Sequence, residues 1–281
     1  MKIKEVVDKI LEYHPKFPDD YCGCDDYKCG NPNDECTGIV VALAPTINVI
    51  RKTIELKANL IIVHEPTFYT SIDGPGWYET FSNSVYDEKR KLLDDNGIVI
   101  WRDHDHLHTH NPDGIFTGIV KYMGFEGKTE LVKDTGGFPH YIVDVGEMTL
   151  KELCRYYAEK IGLNGIRYIG NPDMLVHKIA FVGHLYPEDI NNEYSVKVIK
   201  TLETDADVIV PGEVIDWTVL SYVRDAFELG KNKAVLNIGH FNSEELGMKY
   251  MKDWLSELID NKVNITYVPS GDMYNYYKKG E

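Results

Sequence analysis

Apolar residues recur along this chain in two alternating rhythms. Ile3, Val6, Val7, Ile10 and Leu11 repeat at helical spacing with acids between them, which predicts an amphipathic helix over 1–14. Short continuous apolar runs follow, GIVVALA at 38–44, ANLIIV at 58–63 and IVIW at 98–101, and these read as buried strands. Between them INVIRKTIELK at 47–57 has a helical period, and EKRKLLDDNG at 88–97 closes a helix with Gly97 where a helix ends. The alternation continues with YIVDV at 141–145 and with a helix opened by the capping box of Thr149 and Glu152. HKIAFVG at 177–183, ADVIV at 206–210 and AVLNIG at 234–239 read as strands; VLSYVRDAFELG and EELGMKYMKDWLSELI read as helices. Buried strands alternating with amphipathic helices predict an α/β protein with helix-covered strands.

A long-period echo runs through the pattern. KANLIIVHEP at 57–66 aligns with DADVIVPGEV at 205–214, so that Ala58 falls on Ala206 and Glu65 on Glu213, 148 positions apart. IVIWRDHDHLH at 98–108 aligns with AVLNIGHFNSE at 234–244, so that His104 falls on His240 and His108 on Glu244, 136 positions apart. One loop insertion absorbs the difference. The echo predicts two related α/β halves with a metal site in the cleft between them. Residues 1–128 with 204–281 would form the metal-binding core, and 129–203 a middle segment.

Composition narrows the partners. The 281 residues carry a formal net charge of -15, opposite to the basic footprint of a nucleic-acid binder. No apolar run reaches the roughly 20 residues of a membrane span, and the first helix is amphipathic rather than a secretion signal, so the expected location is the cytoplasm. Cys22, Cys24, Cys29 and Cys36 crowd a Gly/Asn/Pro-rich stretch, but their spacing lacks the paired C-x2-C of a zinc ribbon, and reduced thiols are expected. P-loop and G-x-S-x-G motifs are absent from the sequence.

The chemistry gathers where strands end, which is where α/β sheets bind ligands. LIIV runs into His64 and Glu65, IVIW leads to DHDHLHTH at 103–110, and VLNIG leads to His240. His240 and Glu244 are spaced to share a helix face, as are His104 and His108. His106 and His110 have that spacing too; the echo selects His104 and His108. The candidate ligands are therefore His64, Glu65, His104, His108, His240 and Glu244. Mixed nitrogen and oxygen donors suit zinc, iron, manganese, cobalt or nickel rather than calcium or magnesium. Six ligands exceed the needs of one ion, so two divalent transition-metal ions per chain are expected, with a small anionic substrate. Glu213, at the strand end that mirrors Glu65, is a candidate orienting carboxylate or general base. DGPGWYETF at 73–81 is a candidate lid.

These motifs resemble the Nif-three-like family, whose members are often labelled GTP cyclohydrolase I type 2 homologues. The similarity rests on ANLIIVHEP, HDHLH, ADVIVPGEV and GHFNSEELG, in that order, and extends over nearly the whole chain. It implies two α/β halves, a dinuclear metal centre held by the same six residues, and a toroidal homohexamer. Two positions depart from the family pattern: Glu65 stands where a histidine is common, and His108 where an aspartate is usual. The two exchanges leave the total ligand charge unchanged. The expected activity is that of a metal-dependent hydrolase acting on a nucleotide or phosphoester; the alternative is a non-catalytic metal-binding assembly or regulatory protein.

Overall fold

The first helix forms as its period predicts: α1 (Ile3–Tyr13) buries Ile3, Val6, Val7 and Ile10. The structure is a computed structural model, and it describes residues 1–74, 76–133, 135, 138–186 and 193–277. The chain divides into two units, Met1–Gly118 with Glu244–Gly271, and Ile119–Ser243 with Asp272–Glu281.

After α1, the first unit runs through β1 (Tyr27–Cys29), β2 (Ile39–Ala42), α2 (Ile47–Glu55), β3 (Leu60–Val63), α3 (Ser84–Asp95), β4 (Val99–Arg102) and α4 (Asp105–His108). α5 (Gly114–Met123) leads on to β5 (Thr129–Val132), β6 (His140–Thr149), α6 (Leu150–Ile161), β7 (Arg167–Ile169) and β8 (Leu175–Phe181). Then come α7 (Glu193–Thr204), β9 (Val208–Val210), α8 (Val219–Glu228) and β10 (Ala234–Asn237). α9 (His240–Leu258) and β11 (Ile265–Tyr267) bring the chain back into the first unit.

The fold class is α/β with two sheets, as the apolar rhythm predicts. In the first unit the order is β1-β4-β3-β2-β11, with β4, β3, β2 and β11 parallel and β1 antiparallel at one edge. Every residue of β2, β3 and β4 is buried, and Val40, Ala42, Ile61, Val63 and Ile100 belong to one core with Val49 and Ile50 of α2 and Leu93 of α3. In the second unit the order is β5-β6-β8-β9-β10-β7, where β8, β9 and β10 are parallel and the remaining three strands join antiparallel. Its core joins Ala180, Ile209 and Val235 of those parallel strands to Val198, Leu202 and Val223 of the helices. The antiparallel additions differ from the helix-covered parallel pattern expected over the whole chain. The edge strands β1 and β7 are three residues long and mostly half-buried or exposed, so no apolar run marks them.

The two halves of the echo fall on equivalent neighbours. β3 pairs in parallel with β4, and β9 pairs in parallel with β10. α9 begins four residues before the apolar period that predicts it, so His240 and Glu244 lie one turn apart on one helix. Gly118 of α5 and Gly247 of α9 let two backbones touch: a Cβ on Gly118 would lie 2.5 Å from the Leu246 carbonyl, and one on Gly247 would lie 2.5 Å from Ile115 Cα. That close crossing fixes the part of α9 that carries Glu244. No helix among the described residues is long and apolar enough to cross a membrane.

Candidate metal centre

β3 ends at Val63, and the backbone then bulges. The N–H groups of His64 and Glu65 both donate to the Leu43 carbonyl, at 3.0 and 2.8 Å. A regular strand would send successive side chains to opposite faces. Here the alternation breaks, and His64, Glu65 and Glu244 each place a ligand atom within 4.8 Å of the others. Buried Arg102 locks the bulge, its Nε donating to the His64 carbonyl at 2.9 Å.

The segment after β4 supplies two more imidazoles. His104 caps the single turn of α4, and His108 ends it. Both pack on fully buried His64, with ring centroids 4.3 and 4.8 Å away, and the three rings offer nitrogens within 4.8 Å of one another. Each Nδ1 meets an atom that only accepts: His64 the Asp103 carbonyl at 3.2 Å, His104 the Asp105 carboxylate at 2.8 Å, His108 the Asp113 carboxylate at 2.5 Å. The Nδ1 hydrogens are thereby committed, and in the neutral ring every Nε2 keeps its lone pair. Carboxylate or carbonyl behind imidazole is the arrangement that orients metal-ligating histidines. His64 Nε2 is buried without a hydrogen bond and faces Glu244 Oε2 at 3.4 Å.

Remote residues hold this segment. Asp25 accepts the backbone N–H groups of His104, Asp105 and His106 and the Nδ1–H of His106, all within 3.0 Å. Burial alone would raise its pKa, but those donors hold it below the ordinary carboxylate range. Asp105 accepts from Tyr21 Oη at 2.6 Å, from the Cys24 N–H at 3.2 Å and from the Cys24 thiol at 3.3 Å. Burial pushes the Cys24 thiol upward, so it stays protonated and donates. The cysteine-rich stretch thus contributes a clasp on Asp105. All five cysteines are free, and Cys22, Cys29 and Cys36 join no metal-competent group among the described residues.

His106 is committed to Asp25, and His110 meets His14 at 2.7 Å. His14 in turn bonds buried Asp103 at 2.9 Å. The electrostatics of the remaining pair diverge. Burial, with the His64 and His108 rings beside it, pushes His104 down to about 4. Burial also opposes a charge on His108, but Asp113, Glu244 and Asp105 prevail and raise its pKa to about 9. His108 would have to give up that proton to hold a cation. Three oriented imidazoles with two carboxylates form a donor set that fits a divalent transition ion.

His240 lies in the second unit, beyond the end of β10, and Glu213 lies beyond the end of β9. Glu213 Oε1 stands 3.2 Å from His240 Nδ1, which again leaves the Nε2 lone pair. His184, beyond the end of β8, stands beside them with its ring centroid 4.3 Å from that of His240.

The sequence reading missed Asp105, Asp113, Asp25 and His184. The alternation of aspartate with histidine in DHDH was a usable signal for Asp105. Asp25 lies 79 positions before His104, and no pattern links them. In the stretch expected as a lid, Trp77–Glu79 forms a 3-10 turn, Trp77 Nε1 donates to the Phe68 carbonyl at 3.2 Å, and Pro75 lies outside the described residues.

A GTP cyclohydrolase 1 type 2 homolog of Clostridium acetobutylicum is 26% identical over 250 residues, 87% of this chain and 85% of that protein. The crystal structure of Staphylococcus aureus protein SA1388 has the same fold, with a TM-score of 0.70 at 19% identity over 99% of both chains. So does that of a Bacillus cereus protein related to NIF3, with a TM-score of 0.69 at 16% identity over 99% of both chains. The family model for Duf34/NIF3 (NGG1p interacting factor 3) matches residues 1–272, and the chain belongs to that family.

Proposed function

We propose that the chain is a metal-dependent hydrolase acting on a small anionic molecule, a nucleotide or another phosphoester. The observation that carries the reading is the set of three imidazoles whose Nδ1 hydrogens are all committed elsewhere. His64, His104 and His108 would hold a divalent transition ion through Nε2, with Glu65 and Glu244 as carboxylate donors. His240, one turn before Glu244 on α9, would serve a second ion, its ring oriented by Glu213. Bound ions of this kind polarise a substrate oxygen and acidify water. The chain's own part is to fix the imidazoles, to keep the His108 Nδ1–H donated to the Asp113 carboxylate, and to offset the ionic charge with Glu65 and Glu244. The label carried by the relatives, GTP cyclohydrolase 1 type 2 homolog, favours a nucleotide among the candidates. A homo-oligomer, a hexamer by family resemblance, is part of the same proposal.

The test is direct. Elemental analysis of purified protein reloaded with zinc, manganese or iron is expected to return about two ions per chain, in line with the ligand count. Turnover is then measured with GTP, other nucleotides and simple phosphoesters. An ion-loaded protein that turns over none of them would instead support a non-catalytic metal-binding role.

A further inference from the structure

His184 is placed like a ligand but is chemically the reverse of one. The backbone N–H of Glu213 donates to His184 Nδ1 at 3.0 Å. A backbone N–H can only donate, so Nδ1 is the acceptor and the neutral ring carries its hydrogen on Nε2. At His64, His104, His108 and His240 the partner of Nδ1 is an acceptor, and Nε2 is the lone-pair nitrogen. One residue, Glu213, therefore sets two adjacent imidazoles oppositely: its side chain makes His240 a lone-pair donor, and its main chain makes His184 an N–H donor.

The seat of the ring is built. A Cβ on Gly212 would overlap His184 Nδ1 and stand 2.8 Å from Cε1, so any larger residue there displaces the imidazole. Phe138 meets the ring edge-on at 5.5 Å between centroids, and it packs in turn over Gly183, where a Cβ would lie 2.5 Å from its ring. Two glycines thus make room for two rings, and the imidazole is held against the Glu213 backbone.

We infer that His184 is a hydrogen-bond donor, through Nε2–H, to an oxyanion bound beside His240, and is not a metal ligand. The inference rests on the proposed role of His240 as a ligand. An ion on His240 attracts a negatively charged oxygen, and an N–H on the neighbouring ring is the group that recognises one. The ligand class is a phosphate or a similarly charged oxygen group of the substrate. To ligate, His184 would have to give up the Nε2 hydrogen while Nδ1 still received one from Glu213.

The full-length chain loaded with zinc is compared with His184→Ala, His184→Gln and Gly212→Ala. Ions per chain are counted by elemental analysis, and inorganic phosphate binding is measured by calorimetry. All three variants are expected to keep the wild-type ion count. Phosphate binding is expected to weaken about tenfold in His184→Ala, the scale of one charge-assisted hydrogen bond, and similarly in Gly212→Ala. It should stay near wild type in His184→Gln, whose amide nitrogen stands close to where Nε2 stood. An ion lost from His184→Ala overturns the inference, because His184 is then a ligand. Phosphate binding that is absent from the wild type, or unchanged in His184→Ala, overturns it while leaving the metal reading intact. A wild type that takes up no ion removes both.

Discussion

The two units set histidines at the same kind of place, beyond the carboxyl ends of parallel strands, and prepare them differently. In the first unit His64 is fully buried, and its neighbours His104 and His108 have their Nδ1 hydrogens committed to carboxylates. In the second, His240 and His184 are half-buried, and the single residue Glu213 serves both. Residue type and topological position are shared; the partner behind each ring is not. Whether a histidine offers a lone pair or an N–H is set by that partner, so imidazoles at strand ends are not equivalent donors.

The largest expected effect falls on the buried side of this comparison. His64→Ala removes the ring around which His104, His108 and Glu244 gather, and the ion proposed to bind there should be lost on dialysis, as counted by elemental analysis. Retention of the full ion count would show that the buried histidines are a hydrogen-bonded core and no more.

A smaller loss tests the groups behind the rings. Asp113→Asn keeps the shape but removes the acceptor charge at His108 Nδ1, and metal affinity measured against a chelator should fall about 10–100-fold. His106→Gln, on a ring committed to Asp25, should fall by much less. Equal losses in the two variants would erase the distinction between ligand and scaffold histidines.

The second unit offers a contrast within its own core. His140 is buried, with Nδ1 bonded to Thr201 Oγ1 at 2.8 Å, and burial pushes its pKa down to about 4. The unfolded chain takes up a proton near pH 6.5 that the folded chain refuses until about pH 4. Stability is therefore lost as pH falls through that window, by on the order of 1–2 kcal/mol between pH 7 and pH 5. Urea unfolding at the two pH values, with and without His140→Gln, measures it; an unchanged pH slope in the variant would assign the loss elsewhere.

The smallest effect concerns Cys24. A thiol that donates to Asp105 supports His104 at one remove, so Cys24→Ala should weaken metal binding only a few-fold, as loss of one weak hydrogen bond does. Cobalt-loaded wild type should show no thiolate-to-cobalt charge-transfer band. Such a band, abolished by Cys24→Ala, would make the sulfur a ligand.

Much of this protein is legible in its sequence. The apolar rhythm is a local property, because burial of a strand or a helix face is imposed residue by residue, so β2, β3, β4, β8, β9 and β10 stand within a few positions of the runs that predict them. The capping box at Thr149 and Glu152 is equally local, and forms. The Pro66 that follows His64 and Glu65 marks the break that lets both side chains join one group. The antiparallel edge strands β1, β5 and β7 are not legible in this way, since most of their residues are half-buried or exposed and owe their place to their neighbours' hydrogen bonds, whereas antiparallel β6 stands over the apolar YIVDV.

Sequence alone marks which residue types gather at strand ends: His64 and Glu65 after one run, four histidines after another, His240 and Glu244 at helical spacing after a third. Tertiary structure decides what each of them can do. It sends His106 to Asp25 and His110 to His14, leaves His104 and His108 against His64, and brings the Glu213 backbone to His184. The reason is physical: hydrophobic period is written into neighbouring residues, whereas the proton of an imidazole is placed by whatever donor or acceptor folding brings to its other nitrogen, often from far along the chain.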